Sequence, residues 1–229
     1  MHLGLIGGIG AAATEFYYRG LTRGWNEADG PLSLTIAHAD LTTLRNNVEL
    51  DAREAQAAVF CRHVEQLKRA GADIAAVTSV GGHFCAAELT RIAPLPLLNG
   101  ITVIGESVRA RGIRRVGLLG TVAAMESALF GGVPDIETVV PVGADLGAVG
   151  AAYVEMAVSQ QATEAHRHLL FRVGRELCET QGAQAVLLAG TDLFLAFDGE
   201  APGFPVLDCA EMHIEALIEK ARDPSPVTP

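Results

Sequence analysis

Short apolar runs alternate with longer stretches whose apolar residues recur every three or four positions. The runs Leu3–Gly7, Ser33–His38 and Ile74–Val77 read as strands. Ala11–Asn26 reads as a helix, with Phe16, Tyr17, Leu21 and Trp25 roughly on one face. Asp51–Arg69 is a longer helix carrying Ala55, Ala58, Val59, Val64 and Leu67, and Gly71 stands where a terminator belongs. A helix opens over His83–Leu89, Pro94 and Pro96 close that region, and Leu97–Leu98 is a short fourth strand. The alternation then resumes. Thr102–Arg111 is a helix ended by Gly112, Arg115–Leu119 a strand, and a helix starts near Ala123. The strand Thr138–Val142, the helices Leu146–Ser159 and Glu164–Thr180, and the strands Ala185–Leu188 and Phe204–Leu207 follow. Glu211–Arg222 is the last helix.

Strands alternating with helices predict parallel sheets joined by right-handed crossovers. The two halves also share an outline. Each opens on an apolar strand ending in glycine (Gly7-Gly8, Gly120-Thr121). Each later has a long helix, a Gly-Ala pair (Gly71-Ala72, Gly182-Ala183), an apolar strand and a turn of small residues. The expected fold is α/β, with two pseudo-symmetric Rossmann-like units and a ligand site in the cleft between them. Residues 1–99 with 208–222 form the first unit and 100–207 the second, while 223–229, rich in proline, form a disordered tail.

Composition narrows the function. The chain has 229 residues, 49% of them hydrophobic, which suffices for one large or two small α/β domains. Its formal net charge of −10 argues against nucleic acid as a partner. It leaves room for a small anion, because main-chain amides bind carboxylates without net positive charge. No apolar run approaches the roughly 18 residues of a membrane span, and no signal peptide is read at the start, so a cytoplasmic location is expected. Cys61, Cys85, Cys178 and Cys209 show no CxxC spacing, so no metal site is expected and the thiols read as buried and reduced.

The chemistry is expected in two strand-to-helix turns, Thr78-Ser79-Val80-Gly81-Gly82-His83 and Ala189-Gly190-Thr191-Asp192. Such ends lie at the carboxyl edge of a parallel sheet, where open α/β folds bind ligands. With them come Gly4-Leu5-Ile6-Gly7-Gly8-Ile9-Gly10, then Tyr17-Tyr18-Arg19, Ala39-Asp40-Leu41 and Arg69-Ala70-Gly71-Ala72-Asp73. Gly117-Leu118-Leu119-Gly120-Thr121 with Met125-Glu126, Gln181-Gly182-Ala183, and Val206-Leu207-Asp208 with His213 complete the pattern. In this order and spacing, the motifs resemble the aspartate/glutamate racemase family as far as Arg222.

The resemblance implies an isomerase that works without pyridoxal phosphate or another cofactor. Two acid/base residues, usually cysteines, would flank the α-carbon of a small amino or carboxylic acid, and the protein would be a homodimer. Matching the family turn by its histidine puts Ser79 at the first catalytic position, with His83 as helper. Gly190 stands at the second cysteine position, leaving Asp192 as a candidate for the opposite face. Gly190 has no side chain to move a proton, and a serine is a poor base without an activating neighbour. Gly8, Ile9, Val80, Gly81, Gly190 and Thr191 are the expected substrate-binding positions, offering amides or a hydroxyl. The missing thiol at Gly190 also predicts extra room for a bulkier ligand.

Other readings of the same residues stay open. A lyase or decarboxylase, or a non-catalytic carboxylate binder, would use the same scaffold. Gly8-x-Gly10-x-x-Ala13 with Asp40 fits a dinucleotide fingerprint. Thr191 and Asp192 double as helix-end residues, His83 as a structural residue, Cys85 and Cys209 as core thiols, and Tyr17 and Tyr18 as helix-packing groups.

Overall fold

The computed structural model describes residues 1–26 and 30–222; the tail expected to be disordered lies outside them. The chain divides into two compact units, one of Met1–Val103 with the C-terminal segment from Ala210, the other of Ile104–Cys209.

In the first unit, β1 (His2–Gly7) lies between β2 (Ser33–His38) and β3 (Ile74–Val77), and both pairings are parallel. The helices are α1 (Ala11–Gly24), α2 (Leu41–Glu49), α3 (Arg53–Arg69) and α4 (Ala86–Ile92), the last preceded by a 3₁₀ turn over Gly81–Cys85. The helix expected over His83–Leu89 is therefore split in two. The expected strand at Leu97–Leu98 reduces to one parallel bridge from Ala75 to Leu97, because Pro94 and Pro96 hold that segment in a turn and lack amides for a ladder. α5 (Gly100–Ala110) follows.

The second unit has a four-stranded parallel sheet in the order β5 (Glu137–Val139), β4 (Arg115–Gly120), β6 (Ala185–Ala189), β7 (Val206–Asp208). Its helices are α6 (Val122–Glu126), α7 (Ala144–Ser159), α8 (Glu164–Glu179) and α9 (Phe194–Phe197). Both units are thus α/β with parallel sheets. Each flanks its first strand with the two that follow, and the Leu97 bridge takes the place that β7 holds in the second sheet.

α10 (Cys209–Arg222) belongs mainly to the first unit. Its Ala210, Ile214, Leu217, Ile218 and Ala221 join Leu3, Leu5, Tyr17, Leu21, Ile74 and Ala76 in one buried cluster. These positions are three or four residues apart, the spacing of one helical face. Close approach of α1 explains Gly20 and Gly24: a Cβ there would stand 2.8 and 2.4 Å from the Ile214 and Ile218 methyls.

Candidate functional site

Each expected turn follows a fully buried strand of its own sheet. β3 is buried at all four positions and ends at Val77. Thr78 then hydrogen-bonds back to β1, its amide and hydroxyl both donating to the Ile6 carbonyl at 3.1 Å. Ser79 comes next and is 5% exposed. Its Oγ accepts from the Gly82 amide at 3.3 Å, which winds Gly81–Cys85 into the tight 3₁₀ turn.

His83 does not contact the Ser79 hydroxyl, so the expected Ser79–His83 pair is not formed. The 3₁₀ turn carries the imidazole back over the main chain, where Nδ1 lies 2.7 Å from the Ser79 carbonyl. A carbonyl only accepts, so Nδ1 carries the proton. The other nitrogen, Nε2, accepts from the Gly100 amide at 3.0 Å. The ring is buried, and desolvation lowers its pKa to about 4 although the Ser79 carbonyl contact opposes this. A neutral imidazole with both nitrogens engaged ties the start of α5 to the turn after β3.

A second buried histidine stands beside it. His213 of α10 accepts from the Tyr17 hydroxyl through Nδ1 at 2.9 Å and donates from Nε2 to the Leu98 carbonyl at 3.2 Å. The two rings meet edge to face with centroids 6.3 Å apart. Burial, and then the neighbouring His83, lower the His213 pKa to about 3. Gly100 leaves room for both: a Cβ there would sit 3.0 Å from His213 Nδ1 and 3.3 Å from His83 Cε1. Tyr17 is therefore more than packing.

The turn after β1 serves the backbone. Gly8 has φ of 86°, and a Cβ there would stand 2.5 Å from the Ala39 carbonyl oxygen. Its amide does not face a ligand as expected but donates to Thr14 Oγ1 at 2.8 Å, because that hydroxyl closes the turn onto the Gly10 carbonyl. Ile9 is 1% exposed. Asp40 caps α2, accepting from the Thr43 amide at 2.7 Å and the Thr43 hydroxyl at 2.6 Å. The two central residues of the dinucleotide fingerprint, Gly8 and Asp40, are thus committed to local structure.

In the second unit, β6 is buried throughout and delivers Gly190, Thr191 and Asp192 to the sheet edge. The expected extra room at Gly190 is absent. A Cβ there would lie 2.3 Å from Tyr153 Cε2 and 2.9 Å from Cζ, so the Tyr153 ring of α7 fills the space a cysteine side chain would take. The Tyr153 hydroxyl donates to Asp192 Oδ2 at 3.4 Å. Burial, followed by the charge of Asp192, pushes the phenol pKa well above its usual value. Asp192 is 1% and Thr191 2% exposed. Among the described residues Thr191 Oγ1 has no well-aligned hydrogen-bond partner, although the phenol is close enough to feel it.

Burial also holds the nearby cysteines as thiols. Cys85 is pushed up to about 12, and Cys209, close enough to interact with the Gly190 backbone, is raised well above the usual thiol value. Val80 is buried and Gly81 half-buried within their turn. Ser79 and His83 are thus brought together by the turn after β3, and Gly190, Thr191 and Asp192 by the turn after β6, while Gly8 and Ile9 form a third turn. Tyr153 was missed by sequence reasoning. Its position on an apolar helix gives it the look of a core residue, and its proximity to Gly190 exists only in the folded unit.

Comparison with known proteins agrees with the fold and the motifs. The profile of the Asp/Glu/Hydantoin racemase family matches residues 6–217. A solved Asp/Glu racemase candidate from Yersinia pestis is 26% identical, with a TM-score of 0.83 over 97% of this chain and 100% of that one. Two further structures share the fold. An aspartate racemase homologue from Pyrococcus horikoshii is 24% identical, with a TM-score of 0.79 over 97% and 99% of the two chains. The Picrophilus torridus aspartate racemase is 22% identical, with a TM-score of 0.80 over 96% and 94%. Among the described residues no helix is long and apolar enough to cross a membrane. With a profile match over residues 6–217 and its two parallel-sheet units, the chain belongs to the Asp/Glu/Hydantoin racemase family.

Proposed function

We propose that the protein is an isomerase-type member of this family that binds a small amino or carboxylic acid and acts at its α-carbon without pyridoxal phosphate. One observation carries the reading. Of the seven buried polar or charged residues among those described, five (Thr78, Ser79, His83, Thr191 and Asp192) lie on the two turns. Burying polar groups is costly unless hydrogen bonds compensate. Their concentration at two sheet edges is expected of sites kept for a ligand rather than for stability.

Ser79 is the proton-transfer candidate on one face. Its recorded contact uses one lone pair for the Gly82 amide, so the hydroxyl hydrogen can turn toward a ligand. His83 acts as a positioning residue, holding the Ser79 main chain through its Nδ1 proton. Thr191 supplies a second hydroxyl, and Asp192 orients its surroundings through Tyr153. The test is α-deuterium incorporation in heavy water with D- and L-aspartate, D- and L-glutamate and related acids. Exchange with at least one acid is expected, and Ser79→Ala should lower it at least tenfold, a typical share for a positioned proton-transfer group. Full exchange by that variant would remove the role given to Ser79.

A second reading has its own support. Neither Ser79 nor Gly190 carries a thiol, and His83 is locked neutral by two main-chain contacts. On this reading the turns hold an organic acid without turning it over, and tight binding with no exchange would establish it.

A further inference from the structure

We infer that Tyr153 is the functional group of the second turn, its hydroxyl standing where the family thiol is missing and donating a hydrogen bond to the bound acid. The inference rests on the reading of the turns as organic-acid sites.

The placement is specific. The ring carbon that bears the hydroxyl, Cζ, lies 2.9 Å from the point where a Gly190 Cβ would stand. The same point stands 2.3 Å from Cε2 and 2.9 Å from Cδ2, so a side chain at 190 would meet the ring edge whose hydroxyl lies one bond beyond Cζ. Glycine at 190 and tyrosine at 153 fit one another, because the ring occupies space that a Cβ at 190 would need.

The buried face of α7 is otherwise Val149, Gly150, Ala152, Met156 and Ala157, all without side-chain polar groups suited to the turn. A phenylalanine would fill the same volume without a hydroxyl to desolvate, so the oxygen is a cost that packing does not require. Its protein contact with Asp192 is long, at 3.4 Å. Thr191 Oγ1 is buried beside it and, among the described residues, lacks a well-aligned protein partner. When an acid binds, the phenol's one proton leaves the long Asp192 contact and turns to an acid oxygen, a carboxylate or developing enediolate that accepts from the phenol and from the Thr191 hydroxyl.

The phenol serves as a donor rather than a base, since burial and Asp192 keep it protonated at neutral pH. No proton needs to leave it. The hydrogen bond strengthens as charge builds on the acid's oxygens, the way oxyanion-stabilising groups act. The second turn would therefore stabilise charge where a cysteine would have moved a proton.

The experiment uses the full chain labelled with ¹³C at tyrosine Cζ, whose three tyrosines are Tyr17, Tyr18 and Tyr153. Tyr153→Phe assigns the third signal and keeps the ring over Gly190. Titration with D- and L-aspartate, D- and L-glutamate and malonate should move the Tyr153 signal saturably with at least one acid. Tyr153→Phe should weaken that acid's binding roughly tenfold, the effect of losing one hydrogen bond to a charged group, with a melting temperature near that of the parent. Thr191→Val should weaken it as well. No movement of the Tyr153 signal with any of the five, or unchanged affinity in Tyr153→Phe, would overturn the inference. If the signal moves while no acid exchanges its α-proton, the isomerase reading falls and the Tyr153 contact stands. If exchange occurs and Tyr153→Phe matches the parent in affinity and rate, the Tyr153 contact falls and the isomerase reading stands.

Discussion

At the residue scale, the close approach of the Tyr153 ring to Gly190 ties positions 190 and 153 together. A cysteine at 190 would bring its Cβ to 2.3 Å from Tyr153 Cε2. The ring is packed among buried neighbours and cannot swing away freely. Gly190→Cys is therefore expected to destabilise the protein by about 1–3 kcal/mol, the usual cost of overpacking. Tyr153→Ala leaves a cavity and is expected to cost about 3–5 kcal/mol by itself. Combined, the two should cost less than their sum, because each relieves the other. Urea unfolding of the four proteins checks this, and strict additivity would show that the ring does not oppose the new side chain. None of this was readable in the sequence. The sequence offered Gly190 only as a small turn residue, and the ring that covers it comes from 37 positions upstream, which no local pattern reports. Ser79 and His83 were legible as a pair in one turn. Which atom of Ser79 the imidazole meets was not, since it depends on the 3₁₀ winding of Gly81–Cys85.

At the element scale, the strands were the most legible feature, because short β-rich apolar runs between glycines leave few alternatives. β2 and β3 fall on their expected ranges. α2 was missed because Leu41–Glu49 is mostly polar and buries only Leu44; its start is set by the Asp40 cap, which sequence reading treated as a motif residue. α9 is a single turn after Asp192 and too short to show a period. The pairing of β4 with β6 positions the second turn, and Gly120 marks how close they lie. A Cβ on Gly120 would meet the Ala189 carbonyl oxygen at 2.5 Å, an atom of the backbone that cannot rotate away. Gly120→Ala is expected to cost about 1–3 kcal/mol by the same overpacking argument and to displace the end of β6 next to Gly190. Acid binding should weaken along with the lowered urea midpoint. An unchanged midpoint would mean the strand ends are more compliant than their spacing implies.

At the scale of the whole molecule, the first unit is built from both ends of the chain, and this makes its stability sensitive to acid. His83 and His213 sit in its interior with pKa values lowered to about 4 and about 3, against 6.5 for an unfolded histidine. Above pH 6.5 both states are neutral at these sites and the shift contributes nothing. Below it the unfolded chain takes up protons that the folded unit refuses, so stability falls as pH drops toward 4. At pH 5 the loss is about 2 kcal/mol for each ring. His63, also in this unit and lowered mainly by desolvation, acts in the same direction. The chain's one tryptophan, Trp25, packs against the first unit's core cluster and reports on that unit. Circular dichroism reports on both. Urea unfolding followed by Trp25 fluorescence should therefore show a midpoint that falls between pH 7.5 and pH 5. His213→Gln should flatten that decline by removing one of the two rings. The dichroism transition, averaging in a second unit that has no buried histidine among its described residues, should shift less or become two-phased. A fluorescence midpoint independent of pH over this range would mean that the buried imidazoles are reached by water or by protons in the folded state, and the network of Tyr17, His213, His83 and Gly100 would then not be the closed interior it forms here.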